Sequence, residues 1–76
     1  MKLIVERKPY IAKDGTEYIS VEVDGQSYYG DYPGWLAMID WAVATFGAEA
    51  DRWQVSNKRF WFRDKQDLEW FLLRWA

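Results

Sequence analysis

Seventy-six residues with a net charge of −2, 20% aromatic and with neither cysteine nor histidine, bound one domain over residues 1–76, near the size at which a single core barely stabilises itself. The missing cysteine excludes a disulfide framework and a thiolate metal site, and the missing histidine removes the commonest general base and metal ligand together. The slight acidity argues against bulk affinity for nucleic acid.

Met1–Lys8 has too short an apolar run for a signal peptide, and no stretch approaches the roughly 20 apolar residues of a membrane span. The expectation is a cytoplasmic protein with no membrane partner. Charge is uneven: residues 1–47 hold four Lys/Arg against seven Asp/Glu, and residues 48–76 hold six against five.

In chain order, residues 2–7 alternate as a strand, with Leu3 and Val5 on one side and Lys2, Ile4 and Glu6 on the other. Pro9 cannot donate to a ladder, so the strand ends or bulges there at a sheet edge. Asp14-Gly15 marks a turn, and Tyr18–Val23 follows as a strand with Ile19, Val21 and Val23 facing the core and Ser20 and Glu22 outward. Asp24-Gly25 reads as the strongest hairpin signal. It predicts a further strand over Gln26–Gly30, with Val23 opposite Gln26, Val21 opposite Tyr28, Tyr28 inward and Tyr29 outward.

Asp31 or Tyr32 caps a helix running to about Phe46, with Pro33 in its first turn and Gly47 ending it. Its apolar stripe is Trp35, Ile39, Ala42, Val43 and Phe46, flanked by Leu36 and Met38. Trp41 falls almost opposite the stripe, where it either packs on a second helix or the N-terminal segment, or anchors a partner.

Arg52–Ala76 holds four of the six tryptophans. Arg52–Ser56 and Arg59–Arg63 form a hairpin about Asn57-Lys58, with Val55 opposite Phe60 and Trp53 opposite Phe62. The other face then carries Arg52, Gln54, Arg59, Trp61 and Arg63. Arg52 opposite Arg63 repels unless an anion or an acidic partner lies there or another layer intervenes. Asp64 caps a last helix, with Asp67 completing a capping box. That helix buries Leu68, Phe71, Leu72 and Trp75, while Trp70 and Leu73 point away, toward the first helix or a dimer seam. The expected fold is α+β: an antiparallel sheet of four to five strands with two helices on one face, in the order β-β-β-α-β-β-α.

No hydroxyl has a histidine beside it, and no phosphate-cradling glycine loop is present. Glu17 with Glu22, or Asp64 with Asp67, are carboxylate pairs of the kind glycosidases use, but a wet strand face and a helix N-terminus account for them. The expectation is a protein without catalytic residues, cofactor or metal. Trp61 among Arg52, Arg59 and Arg63 has the ingredients of a stacking platform for single-stranded nucleic acid.

The run Phe60-Trp61-Phe62-Arg63-Asp64-Lys65-Gln66-Asp67-Leu68-Glu69-Trp70-Phe71-Leu72-Leu73-Arg74-Trp75 resembles the C-terminus of small tailed-bacteriophage proteins. The run covers about a fifth of the chain, and the shared positions within it are Phe60, Phe62, Asp67, Phe71, Leu73, Arg74 and Trp75. What the resemblance implies is an accessory protein made in an infected bacterium. Several small, acidic, single-domain phage proteins act by blocking host defence or host nucleic-acid enzymes, and the resemblance implies such a role here.

Three expectations follow. The first is contact with a host protein or complex through the outward residues Tyr29, Trp41, Trp70 and Leu73, the acidic N-terminal half engaging a basic surface. The second is a nucleic-acid module built on Trp61 and its arginines. The third is a homodimer across Trp41 and Trp70.

Overall fold

The computed structural model describes residues 2–6 and 8–76; Arg7, within the first expected strand, lies outside the described residues. The elements are β1 (Leu3–Val5), β2 (Tyr10–Ile11), β3 (Glu17–Val23), α1 (Gly25–Gly30), α2 (Tyr32–Phe46), β4 (Trp53–Ser56), β5 (Arg59–Phe62) and α3 (Lys65–Trp75). All strand pairs are antiparallel and the sheet runs β1-β3-β5-β4, with β2 also pairing with β3. The α+β class and the order β-β-β-α-β-β-α are as the sequence predicts.

The identity of the third strand is not. Gln26–Gly30 lies within the short helix α1 rather than forming a strand. The reason is that β3 has no free edge. β1 occupies one side through Leu3↔Val23 and Val5↔Val21, and β5 occupies the other through Val21↔Phe60. At the point where the hairpin would begin, the Val23 N–H goes to the Lys58 carbonyl at 2.7 Å and the Asp24 N–H to the Lys2 carbonyl at 3.0 Å. With both ladders taken, residues after Asp24 satisfy their backbone locally as a helical turn. Tyr28 still points inward, edge-on to Trp35 at 5.2 Å, and Tyr29 is 78% exposed.

Two turns behave as their residues dictate. Tyr10↔Tyr18 and Ile11↔Glu17 are symmetric about Asp14, and Gly15 takes the positive φ of 88° that closes a three-residue loop. Asn57 and Lys58 have φ of 51° and 65°, the two positive values of a type I′ hairpin. They set Val55 opposite Phe60 and Trp53 opposite Phe62 as expected.

The core lies on one face of the sheet under both long helices. Val21, Val23, Trp53, Phe60 and Phe62 meet Trp35, Met38, Ala42 and Phe46 of α2 and Leu68 and Phe71 of α3. Burying large aromatic rings is how so short a chain gathers enough apolar area. The α2 stripe is rotated from the expected one: Met38 is buried and Val43 is exposed, because the helix must face α3 as well as the sheet. Asp31 caps α2 by accepting the Gly34 N–H at 3.0 Å, and Gly47 ends it with φ of 90°. The Trp53 indole N–H then donates to the Gly47 carbonyl at 2.9 Å, tying the helix end to β4.

The expected capping box at α3 does not form. Asp64 occupies the N-cap position without a side-chain hydrogen bond, and the Asp67 carboxylate turns to Arg52 instead, at 2.8 and 3.2 Å. A charge-assisted fork outcompetes a neutral backbone N–H that water can reach.

Candidate interaction surface

Strand alternation decides what the uncovered face of the sheet displays. The registers place Ile4, Glu22, Arg59 and Ser56 in one row, and Ser20, Trp61 and Gln54 in the next. Tyr10 and Tyr18 follow beyond them. Tyr10, Tyr18, Trp61, Gln54 and Ser56 line a shallow groove of about 260 Å³. It continues toward Asp14 and Asp51 at one end and toward Glu6, Lys8, Pro9 and Arg59 at the other.

Arg59 organises the second end. It donates to the Ser20 hydroxyl at 3.1 Å and pairs with Glu6 at 3.2 Å and Glu22 at 3.6 Å. Ser20, outward as expected, is buried beneath this cluster. Two carboxylates share one guanidinium, so the cluster is net negative. At the far end Asp14 accepts the Thr16 N–H at 3.0 Å, and that bond holds its carboxyl below the usual range.

The three arginines expected around Trp61 do not converge there. Arg52 precedes β4, and its guanidinium reaches the buried Asp67 while lying over the Phe46 ring at 5.1 Å. The bond to Asp67 raises its pKa. Pairing with Asp67 takes up the Arg52 charge. Arg63 is exposed and takes no part in the ion pairs present among the described residues. Arg59 alone borders the groove beside Trp61, and it is already neutralised.

The outward aromatics also separate. Trp41 sits in the seam between α2 and α3, edge-on to Trp70 at 6.4 Å, Trp75 at 6.3 Å and Phe71 at 6.0 Å. Trp41 thus packs on a second helix. Trp70 closes the same seam against Phe46 at 5.7 Å and remains half-exposed. Leu73 is 87% exposed, beside Glu69 and Leu72. Tyr29 carries the Lys58 ammonium over its ring at 5.5 Å, away from the sheet face.

Sequence reasoning placed Gln54 opposite Trp61, as the register has it, but missed Tyr10 and Ser56 as companions of Trp61. Counting outward from Asp14 places Tyr10 opposite Tyr18, a signal that was present. The adjacency of β3 and β5 that brings Trp61 beside them is a non-local pairing with no local mark. Among the described residues no three Asp or Glu side chains are grouped to hold a metal ion, and no helix is long and apolar enough to cross a membrane. Comparison with protein-family models, curated proteins and solved structures finds no match to this chain.

Proposed function

We propose that this chain is a non-enzymatic accessory protein of bacteriophage type that acts by protein–protein contact, with the uncovered sheet face as its docking surface. Its partner is a cationic, extended segment of a host protein, such as the nucleic-acid-binding surface of a defence or nucleic-acid-processing complex. The observation that carries this reading is the gathering of Tyr10, Tyr18 and Trp61 from three strands around one groove, whose ends hold Glu6, Asp14 and Asp51 together with Lys8 and Lys13. Rigid aromatics supply contact area at little entropic cost, and the carboxylates select and steer a basic partner. The groove's own guanidinium is spent on Glu6 and Glu22, which leaves Lys8 and Lys13 at the two ends as the cations that a phosphate would have to use.

The test is a titration of ¹⁵N-labelled protein with an Arg/Lys-rich decapeptide and, separately, with a single-stranded oligonucleotide, each at low and high salt. The expected result is that the Trp61 indole N–H and the Tyr10 and Tyr18 amides shift with the peptide, less so at high salt. The oligonucleotide leaves them in place. Tight, salt-steep oligonucleotide binding that disappears in Trp61→Ala would sink the proposal in favour of a nucleic-acid module. So would a peptide titration that moves none of the three residues.

A further inference from the structure

The two edges of the sheet are finished differently. On β4, the pairs Ser56↔Arg59 and Gln54↔Trp61 turn the backbone groups of Trp53 and Val55 outward. The preceding connector covers them: Glu49 accepts the Val55 N–H at 2.8 Å, and the Ala50 N–H donates to the Trp53 carbonyl at 3.1 Å. That edge is closed to strand addition.

Among the described residues β1 has no such cover. The Lys2 carbonyl accepts the Asp24 N–H, and the Glu6 N–H donates to the Ser20 carbonyl. Even-numbered residues therefore face β3, and the N–H and C=O groups of Leu3 and Val5 face away from it. Among the described residues nothing pairs with that side. Ile4 and Val5 are each 42% exposed. A groove whose apolar lining is Val5, Pro9, Ile19 and Leu68, with Glu6, Glu17 and Lys65 also bordering it, runs beside the strand.

Lys2-Leu3-Ile4-Val5-Glu6 is self-complementary when read against its own reverse. We infer that β1 pairs antiparallel with β1 of a second copy about a two-fold axis through Ile4, joining two sheets into one. In that register Leu3 lies opposite the partner's Val5, and both present outward backbone groups, so each such pair exchanges two hydrogen bonds. Ile4 meets its own copy as the non-hydrogen-bonded pair. Lys2 lies opposite the partner's Glu6, on the same face as Ile4, so attraction replaces the like-charge contact that a slipped register would make. Leu3 of the partner, beside Val5, covers the end of the apolar groove. A one-residue shift would set outward backbone groups against inward ones, so the register is fixed by hydrogen bonding and by charge together. This two-fold replaces the one expected across Trp41, which the α2–α3 seam already consumes.

The chain has no cysteine, which makes a clean test available. Opposed residues of a non-hydrogen-bonded antiparallel pair lie about 4.5 Å apart at Cα, within the span of a disulfide. Ile4→Cys is expected to oxidise almost completely to a linked dimer at micromolar concentration, while Leu73→Cys, on a surface more exposed still, stays monomeric. In parallel, sedimentation equilibrium of the unmodified chain should show mass rising above 9.1 kDa with concentration. Lys2→Glu should weaken association roughly tenfold, since two symmetric pairs change sign. Lys2→Glu with Glu6→Lys should restore it, provided circular dichroism shows the fold intact without the Glu6–Arg59 contact. A chain that remains monomeric at millimolar concentration overturns the inference. So does a dimer in which Ile4→Cys crosslinks no faster than Leu73→Cys, or one that is indifferent to Lys2→Glu.

Discussion

The two faces of the sheet come from the same few residues of β3 and β5, yet they obey opposite rules. On the helix side Val21, Val23, Phe60 and Phe62 are fully buried and apolar, and they pack ring against ring, with Phe60 to Phe71 at 4.8 Å and Phe62 to Phe71 at 5.2 Å. On the open side Ser20, Glu22, Arg59 and Trp61 form a charged lattice around one aromatic groove. Stability resides on the first face, and the second is the one proposed above to dock a partner. In a domain this small the division is sharp, because one layer of helices can cover only one face.

Neighbouring residues test the division most directly. Phe60→Ala should cost about 3–5 kcal/mol, the usual penalty for emptying a buried aromatic site. That is most of the stability that a domain of this size commands. Urea denaturation should find the variant largely unfolded in water. Trp61→Ala, one residue on, should cost about 1–2 kcal/mol, less than a fully buried ring because Trp61 is only partly covered, while abolishing the shifts produced by the cationic peptide. Equal stability losses from the two would mean that the open face is a second core.

The Arg52–Asp67 pair joins the faces at the sheet's end, and its removal ranks next. Asp67 has only 8% of its side chain exposed, against 48% for Arg52. Arg52→Ala leaves a buried carboxylate without its donors and should cost about 1–3 kcal/mol. Arg52→Lys should recover less than half of that, because an ammonium cannot reproduce the two-pronged contact. Replacing both residues by leucine should approach the original stability in urea melts.

What the sequence made legible was whatever chain-local chemistry decides. The Asn57-Lys58 turn, the pairing of Trp53 with Phe62, the Asp31 cap and the Gly47 stop all depend on residues within a few positions of one another. Asp24-Gly25 is an equally good local signal, and it was overridden because β1 and β5, from opposite ends of the chain, reach β3 first. The groove was only half legible for the same reason. Trp61 was visible as outward, but its companions Tyr10 and Tyr18 arrive through the β3–β5 pairing. Arg52 shows a different limit: alternation assigned its Cα to the open face, but a long side chain beyond the strand end can reach around to a carboxylate on the other layer.

The smallest expected effect probes the turn that holds β5 in register. Lys58 sits at φ of 65°, where a side chain costs about 1 kcal/mol that glycine does not incur. Its carbonyl accepts the Val23 N–H, so relief of the turn carries directly into the β3 ladder. Against this, Lys58→Gly discards the ammonium lying over Tyr29, worth about 0.5–1 kcal/mol at an exposed site. The net change in the native background should therefore be a gain of no more than about 0.5 kcal/mol. In a Tyr29→Ala background the offset is absent, and the same substitution should gain about 1 kcal/mol, raising Tm by roughly 4–8 °C for a domain of this size. A thermal melt of the four proteins in this cycle separates backbone relief from the ring contact. If Lys58→Gly destabilises in both backgrounds, then the lysine stem, rather than the turn's φ, holds the hairpin against α1.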